Sequence, residues 1–396
     1  MGPGFRRKGD ATPCRYGAAN LSGLGAFNWS DQDQQPWCGR RLLPRDAKLV
    51  LALTVTPGSK NSSRLDDVPD PPASDGAVVV ETLAIGICGT DREIVAGNYG
   101  WPPAGTQRLI IGHESLGRVL DAPTTGELQA GDHVVGIVRR PDPVPCPACA
   151  NGEWDMCRNG LYTERGIKQR HGYAAQRFRI EPEFAIKVEP GLGRCGVLLE
   201  PASIVAKAWE QIERIGRRSP SWQPRTVLIT GAGPIGLLAA LLGLQRGYEL
   251  HVYDRVDAGP KPELVRALGA TYHAGRLNDL KPDLVMECTG ATSVILDVVE
   301  RVAPAGIICL AGVSTGGREI KFDVGRYNRS MVLENTVMFG TVNANRGHYE
   351  AAAQALARAD QHWLQGLISR RVPLGRWSEA LEARPDDIKV VLDFAA

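Results

Sequence analysis

The chain has 396 residues, 43% of them hydrophobic and 23% charged, with 46 Lys and Arg against 44 Asp and Glu. This composition is typical of a globular protein of about two domains, and the net charge of +2 gives no electrostatic reason to expect a nucleic-acid partner. The longest uncharged stretch, residues 226–245, contains a glycine and proline turn, and no apolar run follows the basic N-terminal residues, so we expect neither a membrane span nor a secretory signal.

Residues 1–45 are rich in Gly, Pro, Asn and Gln and show no sustained period. Their basic residues are scattered rather than clustered, so we predict a disordered N-terminal extension rather than a nucleic-acid-binding arm. Residues 49–55 and 77–83 are β-branched and apolar and are predicted as strands, separated by a Pro- and Asp-rich loop at residues 66–72. Short strands and Gly-rich turns then continue to about Val188.

Three side chains of the kinds that bind zinc follow predicted strands in this region. Cys88 lies in the sequence GICGTD, and His113 and Glu114 lie in the sequence GHE. A catalytic zinc needs only three protein ligands, because its fourth position stays open for water or substrate. Taken singly, a Cys after a strand is most often a small core residue and a lone His is most often part of a hydrogen-bonded structure. The flanking glycines favour the joint interpretation as a zinc site.

A second cluster of cysteines follows in the sequence CPACANGEWDMC. Cys146, Cys149 and Cys157 have metal-ligand spacing, and an odd total of nine cysteines argues against a disulfide framework and for a reducing, cytoplasmic location. A closed structural zinc site needs four ligands, for which Asp142 is the remaining candidate. The alternative interpretation of the CxxC sequence is a redox pair.

The second half of the chain shows the pattern of a dinucleotide-binding fold. Helical periodicity appears at residues 201–215, and from Arg225 onward strands alternate with helices, which predicts a doubly wound parallel sheet. The strand at residues 226–230 leads into GAGPIG at residues 231–236 and then into an apolar helix through Leu244, the context that pyrophosphate binding requires. The alternative is a glycine turn that packs a core helix without any nucleotide.

The end of the second strand of this fold indicates which nicotinamide nucleotide is bound. The strand at residues 250–253 ends at Asp254, where a carboxylate would bind both ribose hydroxyls and repel a 2′-phosphate. Arg255 next to it could instead bind that phosphate. We therefore expect NAD, with NADP tolerated.

Taken together, the motifs resemble those of the zinc-dependent medium-chain alcohol dehydrogenases, and within them the glucose 1-dehydrogenase group. The resemblance extends from about Ala47 to Phe394 and is carried by GICGTD (86–91), GHE (112–114), ERGI (164–167), LEP (199–201), GAGPIG (231–236), VNAN (342–345) and RPDDIK (384–389). It implies an α/β protein with a GroES-like catalytic β domain at residues 46–205, a Rossmann domain at 206–342 and a return to the catalytic domain at 343–396. Pro143 replaces the first cysteine of the family's lobe loop, which bears on the structural zinc alone.

The resemblance also assigns roles to residues of the site. It implies that Cys88, His113 and Glu114 hold the catalytic zinc with Glu200 near the metal, and that Thr90, Glu164, Glu200 and Asn343 contact a sugar. Nucleotide contacts are implied for Gly231, Gly233, Pro234, Ile235, Gly236, Asp254, Arg255, Thr289, Gly290, Ala291, Gly312, Val313, Ser314, Thr341, Val342 and Asn343. Relatives pair through the Rossmann sheet edge, so a homodimer or homotetramer is implied.

The reaction that these residues indicate is zinc-dependent oxidation of an aldose at C1, with D-glucose giving D-glucono-1,5-lactone and a nicotinamide nucleotide taking the hydride. The proton would leave through the Thr90 hydroxyl, the ribose hydroxyls and Glu200. One alternative is a polyol or cyclitol dehydrogenase of the same family. An alternative of another class is a non-catalytic nicotinamide-nucleotide-binding sensor, which would have no need of Cys88, His113, Glu114 and Thr90 together.

Overall fold

Two groups of strands, one mixed and one purely parallel, organise the chain. The computed structural model describes residues 48–275, 277, 279–314 and 321–395, and the predicted N-terminal extension at residues 1–45 lies outside these ranges. The predicted α/β class is confirmed. Within the described ranges, none of the helices combines the length and the apolar character that crossing a membrane requires.

The first group of elements is mainly β. Its strands are β1 (Leu49–Val55), β2 (Arg64–Pro69), β3 (Val78–Ile87), β4 (Leu109–Ile110), β5 (Glu114–Asp121), β6 (His133–Gly136), β7 (Arg139–Arg140), β8 (Thr163–Arg165), β9 (Gln169–Arg170), β10 (Arg177–Ile180) and β11 (Ala185–Lys187). Its helices are α1 (Gly89–Val95) and α2 (Pro147–Ala150). Short 3-10 helices lie at Ala73–Asp75, Trp154–Met156, Pro182–Phe184 and Pro190–Leu198.

The second group alternates strands and helices. It comprises α3 (Leu199–Gly216), β12 (Thr226–Thr230), α4 (Pro234–Leu244), β13 (Glu249–Asp254), α5 (Pro260–Ala267), β14 (Thr271–Ala274), β15 (Leu284–Glu287), α6 (Thr292–Arg301), β16 (Ile307–Leu310), α7 (Val324–Glu334) and β17 (Val337–Gly340). The chain closes with α8 (Arg346–Ala357), α9 (Gln361–Leu367), β18 (Ile368–Pro373), a 3-10 turn at Leu374–Arg376, α10 (Trp377–Leu381) and β19 (Lys389–Asp393).

The largest sheet joins strands from both ends of the chain. Its strand order is β11-β6-β5-β3-β19-β18, and β10 pairs with the first part of β3. The C-terminal strand β19 runs antiparallel to the end of β3, with Val390 opposite Ile87. This pairing brings the last residues of the chain next to the loop that follows β3, where Cys88 lies.

The parallel sheet has the strand order β14-β13-β12-β15-β16-β17, the arrangement of a dinucleotide-binding fold. Its central strands β12, β15 and β16 are almost wholly buried and apolar because helices cover both faces of the sheet. Helix α4 is buried from Gly236 to Gly243, which explains why its sequence is apolar all round.

The predicted loop at residues 66–72 is partly wrong, because its first residues belong to strand β2. β2 pairs antiparallel with β1, from Thr54 opposite Arg64 to Leu49 opposite Pro69. An edge strand tolerates a charged face and a terminal proline, since one row of its backbone groups has no strand partner. Asp66 is held there by the Thr54 hydroxyl and the Arg64 guanidinium at 2.6 and 2.7 Å. The Pro- and Asp-rich composition of this segment predicted a loop and gave no indication of the strand.

Candidate functional site

Three candidate metal ligands converge at the end of strand β3. The ligand atoms of Cys88, His113 and Glu114 all lie within 4.8 Å of one another. Cys88 follows β3 and begins α1, whereas His113 and Glu114 stand at the start of β5, the strand beside β3. The sequence predicted this set of residues, and the sheet register brings them together.

Glycine at position 86 makes room for this cluster. Gly86 is opposite Glu114 in the pairing of β3 with β5, and a Cβ atom built on Gly86 would lie only 2.1 Å from Glu114 Oε2. Any larger residue would therefore push the carboxylate away from its place beside Cys88. This close approach is the physical reason for the first glycine of the GICGTD motif.

The buried carboxylate of Asp91 fixes the two loops that carry Cys88 and His113. Its Oδ2 accepts a hydrogen bond from the Cys88 backbone N–H at 2.9 Å, and its Oδ1 accepts one from the Gly112 N–H at 3.3 Å. His113 Nδ1 lies 3.4 Å from Oδ1. Burial works against charge on His113, but the negative charge of Asp91 raises the His113 pKa well above its ordinary value. Asp91 thus orients the imidazole as well as the backbone.

A lysine from the far end of the chain neutralises Glu114. Lys389 Nζ donates to both oxygens of Glu114 at 2.7 and 2.6 Å, and both side chains are 2% exposed. Burial opposes the charge on Lys389, and the Glu114 carboxylate more than compensates, so the Lys389 pKa is raised. Burial, and then the charge of Glu114, raise the pKa of Glu200 to about 7. Glu200 therefore lies within electrostatic reach of the cluster.

The residues of this cluster fit a zinc ion. Thiolate, imidazole and carboxylate are the ligand types that zinc takes in catalytic sites. His113 Nδ1 is also buried without a hydrogen-bond partner among the described residues, an arrangement that a proton shared with Asp91 or a nearby cation would relieve. The Thr90 hydroxyl lies 3.9 Å from Cys88 Sγ, so it borders the same space.

The three loop cysteines also form a cluster, but Asp142 is not part of it. The sulfur atoms of Cys146, Cys149 and Cys157 lie within 4.8 Å of one another, as the spacing predicted. The Asp142 carboxylate does not lie within that distance of all three: its Oδ1 accepts from the Val144 N–H at 2.9 Å. Its Oδ2 is buried without a partner among the described residues. The expected fourth ligand is therefore not among the atoms that converge here.

The two predicted sugar contacts, Glu164 and Asn343, meet each other. Asn343 Nδ2 donates to Glu164 Oε1 at 2.8 Å, although 179 residues separate them. Arg139 donates to the same oxygen from Nε and Nη2 at 3.1 and 2.9 Å. Within the described part of the chain no hydrogen bond reaches Glu164 Oε2.

Two exposed aromatic side chains stand beside this pair. Tyr99 and Trp101 pack edge to face with ring centroids 5.0 Å apart, and they are 44% and 45% exposed. The Trp101 backbone bonds to residues 167 and 169, next to strand β8 that carries Glu164. Burial and then the charge of Glu164 raise the Tyr99 pKa, which places the phenol near that carboxylate.

The glycine loop has the backbone geometry that a pyrophosphate needs. Gly231 has φ +89°, and a Cβ on Gly236 would lie 1.8 Å from the Gly231 carbonyl oxygen, so only glycine lets helix α4 approach strand β12. A Cβ on Gly233, by contrast, would meet no atom within 4 Å. The loop thus combines close packing at two positions with free space at the third, and Pro234 and Ile235 begin α4 directly after it.

The predicted ribose residues lie at the end of β13. Asp254 accepts hydrogen bonds from the Ala232 and Val256 backbone N–H groups, which fixes the carboxylate beside the glycine loop. Arg255 is exposed, and Lys261 Nζ lies 4.0 Å from Asp254 Oδ2. Lys261 is a second cation next to Asp254 that the sequence analysis did not identify.

The loops after β15 and β16 pack backbone to backbone at the same edge of the sheet. A Cβ on Gly312 would lie 2.2 Å from the Gly290 nitrogen, and the Ser314 hydroxyl donates to the Gly290 carbonyl at 2.8 Å. Buried Glu287 accepts from the N–H groups of Thr289 and Gly290, which shapes the first of these loops. The predicted cofactor contacts Ala291 and Val313 on these loops therefore share the edge where β12 and β13 end, as do Thr341 and Val342 directly after the parallel strand β17.

Several residues of the site had not been identified from the sequence. They are Asp91, Lys389, Arg139, Tyr99 and Lys261, together with the Lys207–Asp155 ion pair discussed below. Asp91 and Lys389 lie inside the motifs GICGTD and RPDDIK, and Asp91 is the single charged residue of the first motif, which was an available signal. No comparable local signal marks Arg139.

Comparison with known proteins agrees with this arrangement. A family model described as "Glucose dehydrogenase C-terminus" matches residues 193–394, and another described as "Alcohol dehydrogenase GroES-like domain" matches residues 74–190. Glucose 1-dehydrogenase of Methanocella arvoryzae is 38% identical over 358 residues, covering 87% of this chain and 99% of that protein. Glucose 1-dehydrogenase of Thermoproteus tenax is 39% identical over 350 residues, covering 86% and 98%.

Among solved structures, the chain is similar to Haloferax mediterranei glucose dehydrogenase in complex with NADP, Zn and gluconolactone. The two have a TM-score of 0.80 and 31% sequence identity, over 87% of this chain and 99% of that one.

Proposed function

The chain belongs to the glucose dehydrogenase family of GroES-like alcohol dehydrogenases, and from that premise we propose that it oxidises the C1 hydroxyl of an aldose with NAD(P). The preferred substrate is D-glucose and the product is D-glucono-1,5-lactone. The observation that carries the proposal is the cluster of Cys88, His113 and Glu114 in a chain that also has an intact nucleotide loop. The named sugar and lactone come from the relatives described above.

Cys88 and His113 would hold the zinc ion, together with a carboxylate from Glu114 or Glu200. When bound, zinc supplies Lewis-acid stabilisation of a hydroxyl oxygen that is losing its proton, worth several kcal/mol. Lys389 neutralises Glu114, and Asp91 holds the loops of both other ligands in place. The Thr90 hydroxyl and the Glu200 carboxyl are the groups through which the proton of the sugar hydroxyl would leave.

Glu164 and Asn343 would orient the sugar ring. Their mutual hydrogen bond and Arg139 fix Glu164 Oε1, which would leave Oε2 to accept from a sugar hydroxyl. A buried sugar hydroxyl without a partner costs about 1–3 kcal/mol, so preset acceptors favour a polyhydroxylated substrate. The exposed rings of Tyr99 and Trp101 supply an apolar surface beside these polar groups.

The nucleotide would bind across the glycine loop and the end of β13. Asp254 would bind the ribose hydroxyls of NAD, while exposed Arg255 and nearby Lys261 would supply positive charge for a 2′-phosphate. We therefore propose that NAD is preferred and NADP is accepted. Gly231, Gly233 and Gly236 would let the backbone approach the pyrophosphate.

Cys146, Cys149 and Cys157 would hold a second, structural zinc, with Asp142 as the fourth ligand. The support is the convergence of the three sulfur atoms, the buried and unpartnered Oδ2 of Asp142, and a hydrogen bond from the Asp142 backbone to Cys149. Backbone N–H groups of Arg158 and Cys149 lower the pKa of Cys146 to about 6, which favours the thiolate that a metal requires.

The outer edge of the parallel sheet supports a homodimer or homotetramer. Strand β17 is the last strand of the sheet, and the preceding helix α7 has no buried residue among those described. Val324, Val332 and Leu333 of this helix are 65%, 66% and 67% exposed. A second copy that paired with this edge would cover them. The seven cysteines within the described ranges are all free thiols, which supports a reducing, cytoplasmic location.

The test is the initial rate of nucleotide reduction by purified protein over a panel of aldoses and polyols, each with NAD and with NADP. We expect the highest kcat/KM with D-glucose or a close aldose, and a preference for NAD. Activity confined to open-chain polyols or cyclitols would reject the sugar-pocket roles of Glu164 and Asn343 and favour a polyol dehydrogenase. Tight nucleotide binding without activity or zinc would indicate a non-catalytic sensor.

A further inference from the structure

A buried ion pair lies under the segment that carries Asn343. Lys207 of helix α3 and Asp155 of the 3-10 helix Trp154–Met156 are 2.8 Å apart, and their side chains are 3% and 1% exposed. Taking two charges out of water is unfavourable, and such pairs are weak contributors to stability compared with apolar packing. The presence of this buried pair is therefore better explained by the residues that it holds in place than by stability.

Both members of the pair bond to the loop around Asn343, which we call the Asn343 loop (residues 341–345). Lys207 Nζ donates to the Val342 carbonyl at 2.9 Å, immediately before Asn343. Asn345 Nδ2 donates to Asp155 Oδ1 at 3.0 Å, two residues after it. Trp154, next to Asp155, donates from Nε1 to the Ala344 carbonyl at 3.3 Å. The loop is thus held on both sides of Asn343.

The backbone at Asn343 needs such support. Asn343 has φ +63°, in the left-handed region, which asparagine tolerates better than most residues other than glycine. The contacts on both sides of Asn343 hold its backbone in this region. In this conformation the Asn343 side chain reaches Glu164 Oε1, and its own Oδ1 accepts from the Ala344 N–H.

The same ion pair is connected to Glu164. Arg139, which donates twice to Glu164 Oε1, also donates from Nη1 to the Asp155 backbone carbonyl at 3.2 Å. The 3-10 helix Trp154–Met156 therefore contacts both the loop that carries Asn343 and the arginine that holds Glu164. A shift of Asp155 would be felt at Asn343 through Val342 and Asn345, and at Glu164 through Arg139.

We propose that Asp155 and Lys207 are positioning residues that set the affinity for the sugar by fixing the Asn343 loop against Glu164. This inference rests on the proposed function, because it assigns Asn343 and Glu164 to the sugar. Neither Asp155 nor Lys207 needs to touch the substrate, since both are buried and fully engaged with protein partners.

The test is the steady-state kinetics of Asp155→Asn, which keeps the shape of the side chain and removes its charge. We expect the KM for the sugar to rise about tenfold or more, with a much smaller change in kcat and in the dissociation constant of the nucleotide. In an Asn343→Ala background the same substitution should raise the sugar KM by a clearly smaller factor than in the wild type, because only the route through Arg139 to Glu164 then remains.

The matched control is Asp66→Asn, the same chemical change at the Arg64 and Arg108 ion pairs of strand β2. It should leave the sugar KM unchanged in both backgrounds. If Asp155→Asn does not fold, Lys207→Arg keeps the charge and alters the reach toward Val342, and a several-fold rise in sugar KM is expected from it.

Two results would overturn the proposal, and a third would overturn the proposed function as well. A folded Asp155→Asn protein with the wild-type sugar KM, or effects of Asp155→Asn and Asn343→Ala that simply add, would show that the pair does not position Asn343. Wild-type protein that reduces no nucleotide with any aldose would overturn the proposed function, and this inference with it.

Discussion

The two cysteine-containing clusters differ in how the fold assembles them. The cluster of Cys88, His113 and Glu114 draws its partners from distant parts of the chain, with Lys389 paired 275 residues away from Glu114. The cluster of Cys146, Cys149 and Cys157 is confined to one loop, and backbone N–H groups of the same loop donate hydrogen bonds to the Cys146 sulfur atom. We infer that the first cluster serves chemistry and depends on the whole fold, whereas the second stabilises one loop.

The largest effect is expected at the ligands of the first cluster. Cys88→Ser and His113→Ala should each lower kcat/KM by about a thousandfold or more, because the Lewis acid that stabilises the developing alkoxide is worth several kcal/mol. Steady-state rates and the zinc content of the same samples make the measurement. Cys195→Ser replaces another buried thiol and should retain activity. Metal-free Cys88→Ser protein with normal rates would refute the zinc mechanism.

The second-largest effect is expected on stability, when the Lys389–Glu114 ion pair is broken. Lys389→Met leaves a buried carboxylate without its cation, which should lower the free energy of unfolding by about 3–5 kcal/mol. Lys187→Met, which breaks the exposed pair with Asp132, should cost less than about 1 kcal/mol. Denaturant midpoints compare the two. A small effect of Lys389→Met would mean that Glu114 is satisfied without the lysine.

A substitution in the cluster of Cys146, Cys149 and Cys157 should lower stability and leave the catalytic rate unchanged. Cys157→Ser should remove one of two zinc ions per chain and lower Tm by roughly 5 °C, the effect of losing one to two kcal/mol in a domain of this size. The kcat should stay close to that of the wild type. Metal analysis and thermal unfolding make the measurement, and wild-type protein with a single zinc per chain would show that this loop is metal-free.

The smallest effect should come from Asp142→Asn. If the carboxylate completes the loop site, the substitution should speed the loss of zinc to a chelator by about tenfold or more, because a neutral amide oxygen binds zinc more weakly than a carboxylate. Activity should not change. Identical zinc loss from wild type and variant would leave Asp142 without a role at the metal.

The sequence predicted those parts of the site that depend on short motifs. GAGPIG between a strand and a helix was enough to predict the nucleotide loop, and the cysteines and histidine that converge are the ones that the motifs contain. The structure adds partners that meet only through long-range pairing. Lys389 reaches Glu114 because β19 pairs with β3, and Asp155 reaches the Asn343 loop across 190 residues. Strand β2 escaped prediction because its pairing with β1 outweighs its Pro- and Asp-rich composition.

The most direct test of the account is the fate of a deuterium label. Wild-type protein is supplied with D-glucose deuterated at C1, or at C2 as a control, and the reduced nucleotide is analysed by mass spectrometry. If the site oxidises C1, the nucleotide gains one mass unit from the C1-labelled sugar and none from the C2-labelled sugar. Label arriving from another carbon, or unlabelled reduced nucleotide formed from C1-labelled sugar, would contradict oxidation at C1.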